Sequence, residues 1–146
     1  MMEELIFPAY PLHTHEEDGQ TYIWDIIRKK WMVLQPEEWV RQHLVHFLIL
    51  DRQVSKNRIS VEKEIRYLKQ RKRFDVVVYD AYGKPFILCE CKAPEVPIKQ
   101  AAFHQVARYN QQIQAPHLLL TNGKVFYFFS LAEDGSYALQ ENAWYE

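Results

Sequence analysis

The chain of 146 residues is 48% hydrophobic, 25% charged and 14% aromatic, which suits one folded domain with a sizeable core and excludes disorder over most of its length. A net charge of -1 supplies no global attraction to nucleic acid. With four glycines, no G-x-x-x-x-G-K loop and no G-x-S-x-G element, the sequence also excludes a motor driven by its own nucleotide site and a serine hydrolase.

The first 35 residues are expected to form an arm or short strands packing on the core, with the main domain spanning 36–146. His13 to Gln20 (HTHEEDGQ) is polar and turn-like. His13 and His15 beside Glu16, Glu17 and Asp18 have metal-binding chemistry, but a flexible acidic loop accounts for them more simply. Thr21 to Leu34 alternates loosely around Arg28-Lys29-Lys30 and predicts one or two short strands. The basic triplet reads as a solvated turn between packed aromatics, Trp24 and Trp31.

Pro36 to Leu50 predicts a helix, with proline at the first helical position, Glu37 and Glu38 in the first turn, and Val40, Leu44, Phe47 and Leu48 at helical spacing. His43 and His46 on that helix need no ligand role. Ile59 to Tyr67 alternates Ile59, Val61 and Ile65 with polar residues and predicts a strand, on which Glu62 and Glu64 are expected to pair with Lys or Arg across the sheet. From Lys56 to Arg73 eight cations stand against those two acids, a basic patch that ends directly before Phe74. The bland account is a solvated loop, and Lys69 to Arg73 alone would fit it.

Phe74 to Tyr79 and Phe86 to Cys91 are two apolar β-like runs, joined by a turn over Asp80 to Pro85. A turn centred between Tyr82 and Gly83 puts Asp75 opposite Glu90, with Cβ atoms about 5 Å apart. By alternation Glu90 and Lys92 share the face that Asp75 uses, and Cys89 and Cys91 point the other way. Runs apolar at consecutive positions are central strands covered on both faces, where carboxylates need partners. Two carboxylates so close repel unless one is protonated or a cation bridges them, and a hard divalent ion is such a cation. Lys92 would then place a positive charge beside an attacking water or a developing phosphate charge. The alternative is a buried ion-pair network with Lys92, Arg71 or Arg73 and no metal. Cys89 and Cys91, two apart on one strand face, suit neither a disulfide nor a zinc site, and read as core residues of a reducing compartment. With no secretory signal or long apolar span, a cytoplasmic location is expected.

Ala93 to Pro97 (APEVP) cannot continue a strand and leads into a predicted helix from Ile98 to Ile113. On it Gln105 and Tyr109 form an i, i+4 pair. His117 to Thr121 is a buried strand returning in parallel after that helix, Asn122-Gly123 predicts a type I′ hairpin turn, and Val125 to Ser130 the next strand. Tyr137 to Tyr145 forms an edge strand or packs loosely.

Asp75, then Glu90-Cys91-Lys92, then Gln105-Val106-Ala107-Arg108-Tyr109 resembles the PD-(D/E)xK nuclease pattern with its Q-x-x-x-Y extension. It most resembles the N-terminal nuclease domain of type I restriction enzyme R subunits and their small stand-alone relatives, over about Pro36 to Phe129. Phe74 stands where the family's name has proline. The resemblance implies a restriction-endonuclease-like three-layer α/β/α core with a mixed central sheet, and metal-dependent hydrolysis of DNA phosphodiesters. Asp75, Glu90 and the Cys91 carbonyl would hold Mg²⁺ or Mn²⁺, with Glu38, preferred to Glu37, as a further ligand. Lys92 would position or activate water, and Gln105 and Tyr109 would orient substrate. It also implies DNA as partner, with a homodimer mate, a helicase or translocase, or a specificity subunit in trans. The competing reading is a non-catalytic DNA- or protein-binding module.

Overall fold

The computed structural model describes residues 2–140. Among the described residues nine strands form two sheets. β1 (Thr14–Glu17), β2 (Gln20–Asp25) and β3 (Lys30–Val33) make an antiparallel three-stranded sheet. β4 (Ile59–Tyr67), β5 (Gln70–Tyr79), β6 (Pro85–Cys91), β7 (His117–Thr121), β8 (Phe126–Leu131) and β9 (Tyr137–Leu139) lie side by side in chain order. Every neighbour pair in this second sheet is antiparallel except β6 and β7, joined in parallel through the crossover helix α2 (Gln100–Ile113). Helix α1 (Pro36–His46) packs Val40, Leu44 and Val45 on one face against Val76, Val78, Cys89 and Leu119. On the other face, Val106 of α2 packs against Phe74, Val77, Leu88 and Leu118. The result is the three-layer α/β/α arrangement with a mixed central sheet.

Local chemistry explains most of these elements. Phe74 to Val78 of β5 are all buried, as expected of a strand covered on two faces. Helix α1 starts at Pro36 without a side-chain cap and is regular only to His46, not Leu50. A wide π-helical turn from Phe47 to Asp51 follows, closed by the Arg52 N–H on the Phe47 carbonyl at 3.1 Å. Helix α2 begins at Gln100, not Ile98, and stops where Gln114 turns left-handed at φ 63°. There the buried Asn110 carboxamide donates to the Ala115 carbonyl and accepts its N–H, at 2.9 and 2.8 Å. Phe7 reaches into the core beside Phe47 and Phe126, which ties the N-terminal segment to the α1 side.

Three segments depart from expectation. The stretch from His13 to Gln20 is no loop: Thr14 to Glu17 pair with β2 from Thr14 opposite Ile23 to Glu17 opposite Gln20, and His15 stacks on Tyr22. Its polar composition belongs to a solvated strand face. Lys69 to Arg73 is likewise no loop except at Lys69, because the rest belongs to β5. Asn122-Gly123 is not a type I′ turn. Four residues separate Thr121 from its partner Phe126, only Gly123 among them has positive φ (84°), and the Asn122 side chain accepts the N–H groups of Lys124 and Val125. Of the expected edge strand, Tyr137 to Leu139 forms; residues 141–146 lie outside those described.

Gly123 also carries a close approach. A Cβ there would meet Leu5 Cδ2 at 2.6 Å in a left-handed conformation, while its carbonyl accepts the Ile6 N–H at 2.7 Å. Gly123→Ala should destabilise the fold by about 1–3 kcal/mol, read from urea unfolding. A loss below about 0.5 kcal/mol would show that the N-terminal segment simply shifts aside.

β5 and β6 pair Val76 with Cys89, Val77 with Leu88 and Val78 with Ile87, the register that brings Asp75 alongside Glu90. Alternation then breaks. Phe74 and Val77 lie in the α2-side cluster, whereas Val76 and Val78 lie in the α1-side one. On the other flank the β4 ladder joins Val61 to Val76 and Lys63 to Phe74 and skips Glu62 and Asp75, with Glu62 at φ 56°.

Candidate active site

The irregularity at Asp75 is the centre of the site. The Cys91 N–H donates to Asp75 Oδ2 at 2.7 Å, so a side chain replaces the next backbone bond of the ladder. Asp75 Oδ1 accepts from the Arg41 guanidinium on α1 at 2.9 Å.

Arg41 gathers the acids of three elements. Its side chain is 8% exposed and reaches Glu38 at 2.6 Å, Asp75 and Glu62 at 2.9 Å and Glu37 at 3.5 Å. The helix explains half of this, because positions 37, 38, 41 and 42 project from neighbouring turns of one face. Gln42 donates to the second oxygen of Glu38 at 3.0 Å, and Arg28 bridges Glu38 at 3.2 Å to Asp25 at 2.6 Å. Arg41 Nε is buried without a hydrogen-bond partner. One guanidinium therefore serves several carboxylates instead of closing a bidentate pair with one.

Glu90 has a different environment. Its Oε1 meets the Lys72 ammonium at 3.2 Å, and Lys72 lies over the Phe74 ring at 5.4 Å. Burial and the neighbouring Asp75 carboxylate outweigh that cation and push the Glu90 carboxyl up to about 8. At neutral pH Glu90 therefore keeps its proton. Burial and Asp75 also raise Glu37 above the usual carboxylate range, while Arg41, flanked by Glu38 and Asp75, stays charged throughout.

The structure brings Asp75, Glu90, Glu38 and the Cys91 backbone into one neighbourhood. Lys92 follows β6 directly, its N–H donating to the Thr121 carbonyl at 2.9 Å. Its ammonium makes no ion pair among the described residues and acts on Glu37 from a distance. Gln105 is exposed on α2, and Tyr109 packs half-buried against the α2-side core; neither hydrogen-bonds to Asp75, Glu90 or Lys92. Glu62 pairs with Arg41 of α1 and, across the strands as expected, with Arg73 at 3.7 Å, whereas Glu64 pairs with Arg66 of its own strand at 2.7 Å instead of across the sheet. His43 and His46 donate from Nδ1 to the carbonyls of Trp39 and Gln42, both at 2.8 Å, and burial lowers their basicity. The sequence reading missed Arg41, Arg28 and Lys72. The spacing Glu38-x-x-Arg41 was the available signal for the first.

Fold and site together define a restriction-endonuclease-like α/β domain. Residues 36–141 match the family described as the type I restriction enzyme R protein N terminus, and the chain belongs to that family. Compared with curated proteins, it matches none. Among the described residues no helix is long and apolar enough to cross a membrane.

A divalent cation suits part of this donor set. Asp75 and Glu90 are oxygen donors on neighbouring strands, and a hard metal would offset the burial cost and the repulsion by Asp75 that keep Glu90 protonated. Glu38 already spends both oxygens on Arg41, Arg28 and Gln42, so it would ligate only after rearrangement. Among the described residues no cluster of three or more His, Cys, Asp or Glu side chains forms a ready-made cage. Main-chain carbonyl and water would have to complete the shell.

Proposed function

We propose that this domain is a metal-dependent nuclease that hydrolyses DNA phosphodiester bonds. The observation that carries the reading is the Asp75–Glu90 pair, two acids brought together by neighbouring strands, where burial and the Asp75 carboxylate keep the Glu90 proton on to about pH 8. Asp75, Glu90 and the Cys91 carbonyl would hold Mg²⁺ or Mn²⁺, which when bound supplies an activated water and stabilises charge on the phosphate. Lys92, whose ammonium has no ion-pair partner among the described residues, would approach the same phosphate. Gln105 and Tyr109 would orient the nucleic acid from α2, and Glu38 would join the shell if Arg41 released it. Membership of the R protein family supports DNA as substrate and a helicase, translocase or specificity subunit as partner, in the cytoplasm; a homodimer is a further arrangement in which the chain would act.

Arg41 favours a second reading, a non-catalytic DNA- or protein-binding module, because it already supplies a cation to Asp75 and Glu38. Mn²⁺ calorimetry with DNA cleavage in the same samples separates the two. The nuclease reading expects binding by the wild type, weakened at least tenfold in Asp75→Asn and Glu90→Gln, with cleavage lost in both. No Mn²⁺ binding by the wild type would leave the binding module in its place. Binding without cleavage would point to a partner-dependent subunit.

A further inference from the structure

Beyond Val76, β6 no longer flanks β5, and β4 is the edge of its sheet, so residues 63–74 continue as a two-stranded ribbon paired only to itself. Its five rungs run from Lys63 opposite Phe74 to Tyr67 opposite Gln70. Between positions 63 and 73 six cations face Glu64 alone, a local charge of +5 in a chain of net charge -1. Lys63, Arg66, Lys69, Arg71 and Arg73 are all exposed. Arg66 sits directly opposite Arg71, a like-charge pairing that weakens a ladder. The fold gains nothing from that arrangement, whereas a polyanion would.

The tip adds a second, independent observation. Leu68 is 84% exposed and holds φ 55°, and its neighbour Tyr67 is 47% exposed. A branched apolar side chain in the left-handed region, pointing into water, is strained and solvated at once; asparagine or glycine would suit the turn better. At its base the ribbon joins the acids: Lys72 contacts Glu90 at 3.2 Å and Arg73 contacts Glu62 at 3.7 Å. The seven steps from Leu68 to Asp75 span at most roughly 23 Å at strand rise.

We infer that this ribbon is a DNA-docking arm, laid into a groove of duplex DNA with its cations on the flanking phosphates and Leu68 against the base edges. A two-stranded ribbon fits the major groove, which is about 12 Å wide. In that groove an apolar side chain such as Leu68 can contact the thymine methyl. The arm thereby leads the backbone of the bound strand toward Asp75 and Glu90. The choice of DNA as the polyanion rests on the nuclease reading; the arm itself does not.

The test is fluorescence anisotropy of a labelled 30-base-pair duplex with the full chain in EDTA, at several salt concentrations. Lys69→Glu/Arg71→Glu should bind at least tenfold more weakly, with the slope of log affinity against log salt shallower by about 2. Leu68→Asn should lose several-fold in affinity at unchanged slope. Lys84→Glu/Lys99→Glu, an equal charge change elsewhere, should lose less than threefold. The arm is overturned if the wild type does not bind, if the ribbon variants bind like the wild type, or if the Lys84/Lys99 control loses as much. Equal competition by double-stranded RNA would overturn the assignment to DNA. Because EDTA removes catalysis, failure here leaves the Mn²⁺ and cleavage result standing, and failure of that result leaves this one intact.

Discussion

Arg41→Met should destabilise the metal-free protein by about 3–5 kcal/mol in urea unfolding at pH 7, the cost of leaving buried carboxylates without their cation. Asp75 is 8% exposed and Glu38 6%, and each accepts a bond under 3 Å from Arg41 that methionine cannot supply. A companion measurement makes the loss diagnostic: added Mn²⁺ should restore more stability to the variant than it adds to the wild type. Ligand linkage then reads the difference in metal affinity directly. A loss under about 1 kcal/mol, or equal stabilisation of both proteins by Mn²⁺, would show that the guanidinium does not occupy the place of a metal.

The second large effect concerns Glu90. Unfolded, it gives up its proton near 4.5; folded, it keeps the proton to about 8. Between those values the native state binds more protons than the unfolded chain, so stability falls as pH rises, by up to about 1.4 kcal/mol per unit. His43, His46 and His117 act in the lower part of this range, because burial lowers their folded values from 6.5 and their contribution is lost on acidification. From pH 7 to 8 the glutamate therefore dominates. Glu90→Gln should remove the decline and leave the metal-free variant more stable than the wild type at pH 8 by about 2–4 kcal/mol. Parallel pH profiles for the two proteins would mean that Glu90 ionises normally. Metal uptake by the wild type at pH 7 should also release close to one proton, which calorimetry in two buffers of different ionisation enthalpy measures.

Much of the scaffold was legible in the residues, and the reasons differ by element. Ile59 to Tyr67 and His117 to Thr121 have the predicted bounds, one from strict alternation and the other from an apolar run between proline and asparagine. The β5–β6 register followed from the turn, where Asp80 Oδ1 accepts the N–H groups of Tyr82 and Lys84 and Gly83 takes φ 79°. β1 was hidden because THEE is polar throughout and gains its place only by pairing with Ile23 and its neighbours. The convergence on Asp75 was half visible. Alternation put Asp75 near Glu90, but the break at that residue depends on Glu62 at positive φ and on a side-chain bond to Cys91, neither of which leaves a local signature. The expected alternative partners were Lys92, Arg71 and Arg73; the cations found on these acids are Arg41 and Lys72. A helical arginine looks solvated until the fold shows what it faces.

The bond between Asp75 and the Cys91 N–H also has a mechanical meaning. It lies at the crotch of a fork, where β5 leaves with β4 as the basic ribbon and β6 turns away through Lys92 toward α2. Above it two strands are laced by ordinary rungs; below it they diverge, joined by this side chain and by the Lys72–Glu90 contact. The same carboxylate is thus a hinge pin and a charge in the site. Load applied to the arm enters the sheet at its junction beside Asp75, where Lys72 and Arg73 also hold Glu90 and Glu62.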